Sequence, residues 1–114
     1  MPYLRIQTNK SMDDKASQAF LKKASQLVVQ QLSKPESYVM VRVEPSSPML
    51  FAGSPEPTAF LELRALGLPT NKTGELSRSL CELVESELGV PKERVFLNFS
   101  DVPANLWGWN GETF

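Results

Sequence analysis

The 114-residue sequence contains no histidine and one cysteine, Cys81. Histidine is the side chain whose ordinary pKa lies between pH 5 and 8, so its absence removes the usual neutral-pH base. It excludes a Ser-His-Asp triad, a Cys-His pair and every histidine-ligated metal. One cysteine leaves no internal disulfide, no thiolate cluster and no Cys-x-x-Cys redox pair. The six glycines (53, 67, 74, 89, 108 and 111) never adopt GxGxxG or GxxxxGK spacing, so dinucleotide and P-loop binding lack support. Twelve Lys+Arg against thirteen Asp+Glu give a net charge of -1 with no basic run, which argues against a nucleic-acid partner. Residues 1–10 lack the apolar segment of a signal peptide, and nothing approaches the length of a membrane span. The expectation is therefore a cytoplasmic protein without membrane contact; secretion by an unconventional route leaves no trace in a sequence.

What remains is the composition of one globular domain spanning residues 1–114: 41% apolar, 22% charged, 9% aromatic. Tyr3-Leu4-Arg5-Ile6-Gln7 alternates as a strand does. Ser11-Met12-Asp13-Asp14 has the form of a capping box, predicting a helix from about residue 12. The apolar positions Ala16, Phe20, Ala24, Leu27 and Val28 recur every three or four residues, giving that helix a face to pack on a sheet. Ser33-Lys34-Pro35 ends it, and Tyr38 to Val43 is β-branched enough to form a strand.

After a Pro/Gly/Ser-rich connection from Glu44 to Pro57, the same order returns. Thr58 to Leu66 reads as a strand; Leu76, Leu80, Leu83, Val84 and Leu88 mark a helix from about Lys72; Gly89 and Pro91 close it; Arg94 to Phe99 is a fourth strand. Two βαβ units in tandem predict an α+β two-layer sandwich: a four-stranded mixed sheet with two helices on one face. Val39, Val41, Val43, Phe60, Phe96 and Leu97 exceed what two helices cover, which suggests a bare apolar sheet face buried between copies. The tail Leu106-Trp107-Gly108-Trp109-Asn110 carries two tryptophans that are expected to dock on a neighbour, the alternative being that they pack on their own subunit.

Without histidine, a neutral-pH base must be a shifted carboxylate or lysine, Cys81, or the terminal amine, whose ordinary pKa of about 7.7–8.0 is closest to neutrality. Met1 precedes Pro2, and an initiator methionine before so small a residue is normally removed. That leaves a secondary amine at the head of a strand, a group that serves as base and as nucleophile. Burial among apolar walls near a cation would hold it neutral. Cys81, between Leu80 and Glu82, is most simply a small buried apolar residue.

The opening MP-x5-TN, the helix-ending KPESYV, the segment MLFAGSPEP, Leu66-Gly67, the segment RVFLNFSD and the closing NLWGWNGETF, in this order, resemble the macrophage migration inhibitory factor and D-dopachrome tautomerase family across the whole chain. The resemblance implies a homotrimer whose sheets form a central barrel, with active sites at subunit interfaces. It implies keto-enol tautomerisation of phenylpyruvate-like aromatic 2-oxo acids without cofactor or metal. Pro2 would be the base, and Lys34 and the backbone N–H of Leu66 would hold the substrate carboxylate. Asn98 of a neighbouring copy would meet the aryl end, with Tyr3, Tyr38, Trp109 and Phe114 as walls and Trp107 beside them.

Phe96 stands where the family's mammalian member has a tyrosine, which removes a phenol hydroxyl. Thr58-Ala59-Phe60-Leu61 takes the place of a Cys-x-x-Cys, so thiol-protein oxidoreductase activity is not expected. Arg64, in place of a histidine, either adds positive potential to the pocket or faces solvent. The alternative function is a cytokine-like factor binding a receptor or host protein, with the pocket as inheritance.

Overall fold

The computed structural model describes residues 1–114. Strand β1 (Pro2–Thr8), helix α1 (Asp14–Leu32) and strand β2 (Met40–Glu44) form the first unit; β3 (Ala59–Leu66), α2 (Thr73–Leu88) and β4 (Val95–Val102) form the second. The sheet order is β2-β1-β3-β4, with β1 parallel to β2, β3 parallel to β4, and the units joined by the antiparallel β1/β3 pair. Both helices cover one face, where Leu4, Ile6, Leu61 and Leu63 of the sheet meet Phe20, Ala24, Val28, Leu76, Leu80 and Val84. The expected mixed-sheet sandwich is thus the fold adopted.

Local chemistry fixes the ends of the elements. Asp13, with extended backbone, caps α1 by accepting from the Ala16 N–H at 2.7 Å. The cap is therefore Asp13 and not Ser11, and the helix starts two residues later than expected, because the aspartate is the residue that reaches a free N–H of the first turn. The helices finish alike. Ser33 (φ 53°) and Gly89 (φ 69°) take the left-handed conformation that turns a chain out of a helix. Pro35 and Pro91 follow, and then the single 3-10 turns Glu36–Tyr38 and Lys92–Arg94. The repeat aligns Lys34 with Val90 and Tyr38 with Arg94.

In the second unit this junction is a lock. Val90 is fully buried. The Arg94 guanidinium donates to the carbonyls of Pro57 (2.8 Å), Phe51 (3.2 Å), Ser54 (3.0 Å) and Glu56 (3.1 Å). Asn9 donates to Pro55 and Glu56 and accepts from the Thr58 N–H, so the connection before β3 is held from both sides. In the first unit the equivalent positions carry Lys34 and Tyr38 and lie open.

The open sheet face differs from expectation. Register puts Val41 beside Leu4, Val43 beside Ile6 and Leu97 beside Leu61, which directs these side chains toward the helices. Together with Val39 they pack on the core. The opposite face presents Tyr3, Arg5, Gln7, Arg42, Glu44, Glu62, Arg64 and Asn98, with Phe60 and Phe96 as its aromatic part. Arg5 holds Glu44 through two bonds of 3.1 and 3.2 Å, and Gln7 donates to the same carboxylate at 2.9 Å. A parity shift of one residue exchanges the faces of a strand, and composition alone does not set parity.

Beyond β4 the tail forms a small hairpin, β5 (Gly108–Trp109) with β6 (Glu112–Thr113). It turns at Asn110 and Gly111, both at positive φ as a two-residue hairpin turn requires. The tryptophans contact their own chain: Trp109 lies edge-on to Tyr38 at 5.9 Å and stacks with Phe114 at 6.2 Å, while remaining 54% exposed. No helix is long and apolar enough to cross a membrane, and no group of three or more acidic or cysteine side chains is gathered to hold a metal.

Candidate active site

Strands β1 and β2 begin, and β3 and β4 end, at the same edge of the sheet. There the chain encloses a cavity of about 760 Å³, with Pro2, Tyr3, Tyr38, Trp107 and Trp109 among its walls. Topology produces it: the parallel β1/β2 pair brings Tyr3 beside Met40, and the antiparallel β1/β3 pair brings Pro2 beside Ala65 and Tyr3 beside Arg64. The tail hairpin then folds over this end. Apolar walls with a few polar groups are the usual character of a small-molecule site.

Pro2 is fully buried at the head of β1. Met1 lies in the cavity, and its carbonyl accepts the Leu66 N–H at 3.3 Å. Burial, and after it the Lys34 ammonium, lower the Met1 amine below its ordinary value of 8.0. Both act on the protonated form, burial by removing water and lysine by like charge. Lys34 itself does not line the cavity, and none of the six ion pairs includes it. Its position just beyond the left-handed turn at Ser33 places a cation at the end of α1 within electrostatic reach of the chain terminus.

One chain brings together only part of the expected set. Pro2, Tyr3, Tyr38 and Trp109 share the cavity; Lys34 and the Leu66 N–H adjoin it through the terminus; Phe114 reaches it only by stacking on Trp109. Phe96 and Asn98 stand apart within the chain. Phe96 pairs with Phe60, five residues along β3 from Ala65, which is about 17 Å of strand. It packs on Phe51 at 4.8 Å and lines a separate apolar cavity of about 440 Å³. Asn98 pairs with Glu62 on the open face and is exposed.

Arg42 and Arg64 both line the main cavity. The sequence leaves Arg64 either a pocket or a solvent role, and the structure gives it both: it lines the cavity with its side chain more than half exposed. Arg42 was missed, although its alternation with the core-facing Val41 and Val43 was the available signal. Cys81 is buried on α2, and that burial pushes its thiol up from the ordinary value of 9.0, as expected of a packing residue.

The profile of the macrophage migration inhibitory factor (MIF) family matches residues 1–114. The chain is 40% identical to the homolog from Wuchereria bancrofti, over 100% of this chain and 99% of that protein. It is 33% identical to the factor from Xenopus tropicalis, with the same coverage. Among solved structures, the homologue from Prochlorococcus marinus superposes with a TM-score of 0.93 at 38% identity, covering 98% of each chain.

Proposed function

The chain belongs to the macrophage migration inhibitory factor family, and from that premise we propose that it is a cofactor-independent keto-enol tautomerase of phenylpyruvate-like aromatic 2-oxo acids. Removal of Met1 makes Pro2 a secondary amine, and this nitrogen is the base. It takes a proton from the carbon beside the keto group. Charge builds on the keto oxygen, and the protonated Pro2 nitrogen returns the proton to that oxygen, which gives the enol and restores the free amine; the reverse sequence regenerates the ketone. No electrons change hands, so no redox partner is needed.

The observation that carries the reading is the position of Pro2: a buried strand head in an aromatic cavity, at a terminus where burial and Lys34 already disfavour the protonated amine. The same loss of Met1 has a second effect. It frees the Leu66 N–H from the Met1 carbonyl, and that donor, with Lys34, forms a carboxylate site beside the base. Tyr38 and Trp109, edge to face, and Tyr3 on the strand suit a flat aryl group. Phe114 stiffens Trp109 by stacking.

Asn98 and Phe96 serve the site of a neighbouring copy in a homotrimer, Asn98 donating to the aryl end and Phe96 offering only its ring. The whole chain acts as one such domain. The test is the absorbance of the enol of phenylpyruvate, followed with the intact mass of the protein known. Pro2→Gly, and a chain extended by one residue before Pro2, are expected to lose about 10²–10⁴ in rate. Wild-type rates in both variants would refute the assignment.

A further inference from the structure

The charges around the cavity do not balance. On the open face near it stand three arginines, Arg5, Arg42 and Arg64, against two glutamates, Glu44 and Glu62. Glu44 is held by Arg5 through Nε and Nη2 and by Gln7. Arg42 approaches the same carboxylate through Nε at 2.9 Å. Arg64 has its nearest carboxylate oxygen, on Glu62, at 3.8 Å, beyond hydrogen-bond reach, and Arg5 faces that oxygen too at 4.0 Å. The Arg64 guanidinium thus lacks a close acid partner, and with Arg42 it lines the aromatic cavity while more than half exposed to solvent.

We propose that Arg42 and Arg64 form a second anion site in this cavity, so that its preferred ligands are aromatic acids with two negatively charged groups at opposite ends. The proposal deepens the tautomerase reading and rests on it for the position of the first carboxylate, at Lys34 and the Leu66 N–H. Arg64 precedes Leu66 by two residues, about 7 Å back along β3. A benzene ring with acid groups in para relation bridges such a gap. A guanidinium also lies well on aromatic faces and takes a carboxylate through two parallel donors, which suits a site lined by Tyr3 and Tyr38.

The test uses benzoate and benzene-1,4-dicarboxylate as probes on the mature protein, with the fluorescence of Trp107 and Trp109 as readout. The dicarboxylate is expected to bind at least about tenfold tighter at low salt, the weaker end of what a partly exposed charge-assisted pair provides. That preference should shrink severalfold in 0.5 M NaCl, where screening reaches only a few ångströms. Arg64→Gln and Arg42→Gln should each reduce it to about threefold or less, and Arg64→Lys should restore only part.

Equal binding of the two probes to the wild type overturns the proposal without recourse to any variant. A preference that survives both glutamine variants overturns it as well. Should sedimentation show that the variants change the assembly while the wild type discriminates nothing, the arginines belong to contacts between copies. Rates with phenylpyruvate separate the two readings: dicarboxylate preference without turnover sinks the tautomerase reading alone, and turnover without preference sinks the anion site alone.

Discussion

Lys34→Gln removes one charge from the candidate site and should produce two separable effects. Lys34 is half-buried, outside every ion pair, and near enough to the terminus to depress its amine. Two unit charges 4 Å apart interact by about 1 kcal/mol in bulk water and about 4 kcal/mol near a protein surface. Desolvation of the pair cancels much of the larger figure, which leaves about 1–2 kcal/mol for holding a substrate carboxylate. The expected rise in KM for phenylpyruvate is therefore about 5–30-fold. The second effect has a definite sign. Without the neighbouring cation the Pro2 amine is easier to protonate, so the acid limb of the kcat profile moves to higher pH, while kcat on the alkaline plateau falls by less than KM rises. Steady-state rates across pH 5–9 measure both. An unchanged KM together with an unmoved acid limb would refute the assignment of Lys34 to the site.

Three further expectations concern stability and pH. Arg94→Ala removes four hydrogen bonds to the connection before β3 and should lower unfolding free energy by about 2–4 kcal/mol, read as a lower urea midpoint at unchanged slope; Arg94→Lys should recover little, since an ammonium does not fork to four carbonyls. Leu80→Ala, at a fully buried contact of α2 with the sheet, should cost about 2–5 kcal/mol; a loss below about 1 kcal/mol would contradict the packing described. The Glu44 carboxyl is held below its ordinary value of 4.5, first by its hydrogen bond to Arg5, so the stability it contributes is present above pH 4.5 and is lost as pH falls through the lowered value. Thermal melts should therefore decline more steeply below pH 4.5 in the wild type than in Glu44→Gln, and parallel declines would contradict the pairing.

The βαβ duplication was legible because each unit carries its own punctuation: a helical apolar stripe, a left-handed exit at Ser33 or Gly89, and a proline two residues on. What the sequence did not disclose was strand parity. Val39, Val41, Val43, Phe60, Phe96 and Leu97 together exceed what two helices are expected to cover, whereas Val39, Val41, Val43 and Leu97 pack on the helix side and the open face carries mainly charged and polar residues beside Tyr3, Phe60 and Phe96. The β5–β6 hairpin was readable in principle from Asn110-Gly111, the dipeptide that best tolerates two positive φ values in a row.

The candidate site divides in the same way. The absence of histidine left the terminal amine one of a few candidate bases, and the resemblance favoured it and supplied Lys34, Tyr38 and Trp109. The closeness of Lys34 to the terminus is a consequence of how α1 ends. Phe96 and Asn98 lie far from Pro2 within one chain, so no argument from a single copy joins them to it. Arg42 escaped notice because an arginine in an alternating strand looks like solvent-facing decoration until the tail hairpin closes the cavity around it.

The central claim is that the nitrogen of Pro2 is a free amine kept unprotonated by its surroundings. Nitrogen-15 NMR titration of proline-labelled protein, its loss of Met1 verified by intact mass, measures this directly. The expected result is a titration of Pro2 clearly below the ordinary terminal value of 8.0 that shifts upward in Lys34→Gln. A Pro2 nitrogen that titrates at or above 8.0, or full turnover by protein that retains Met1, would contradict it.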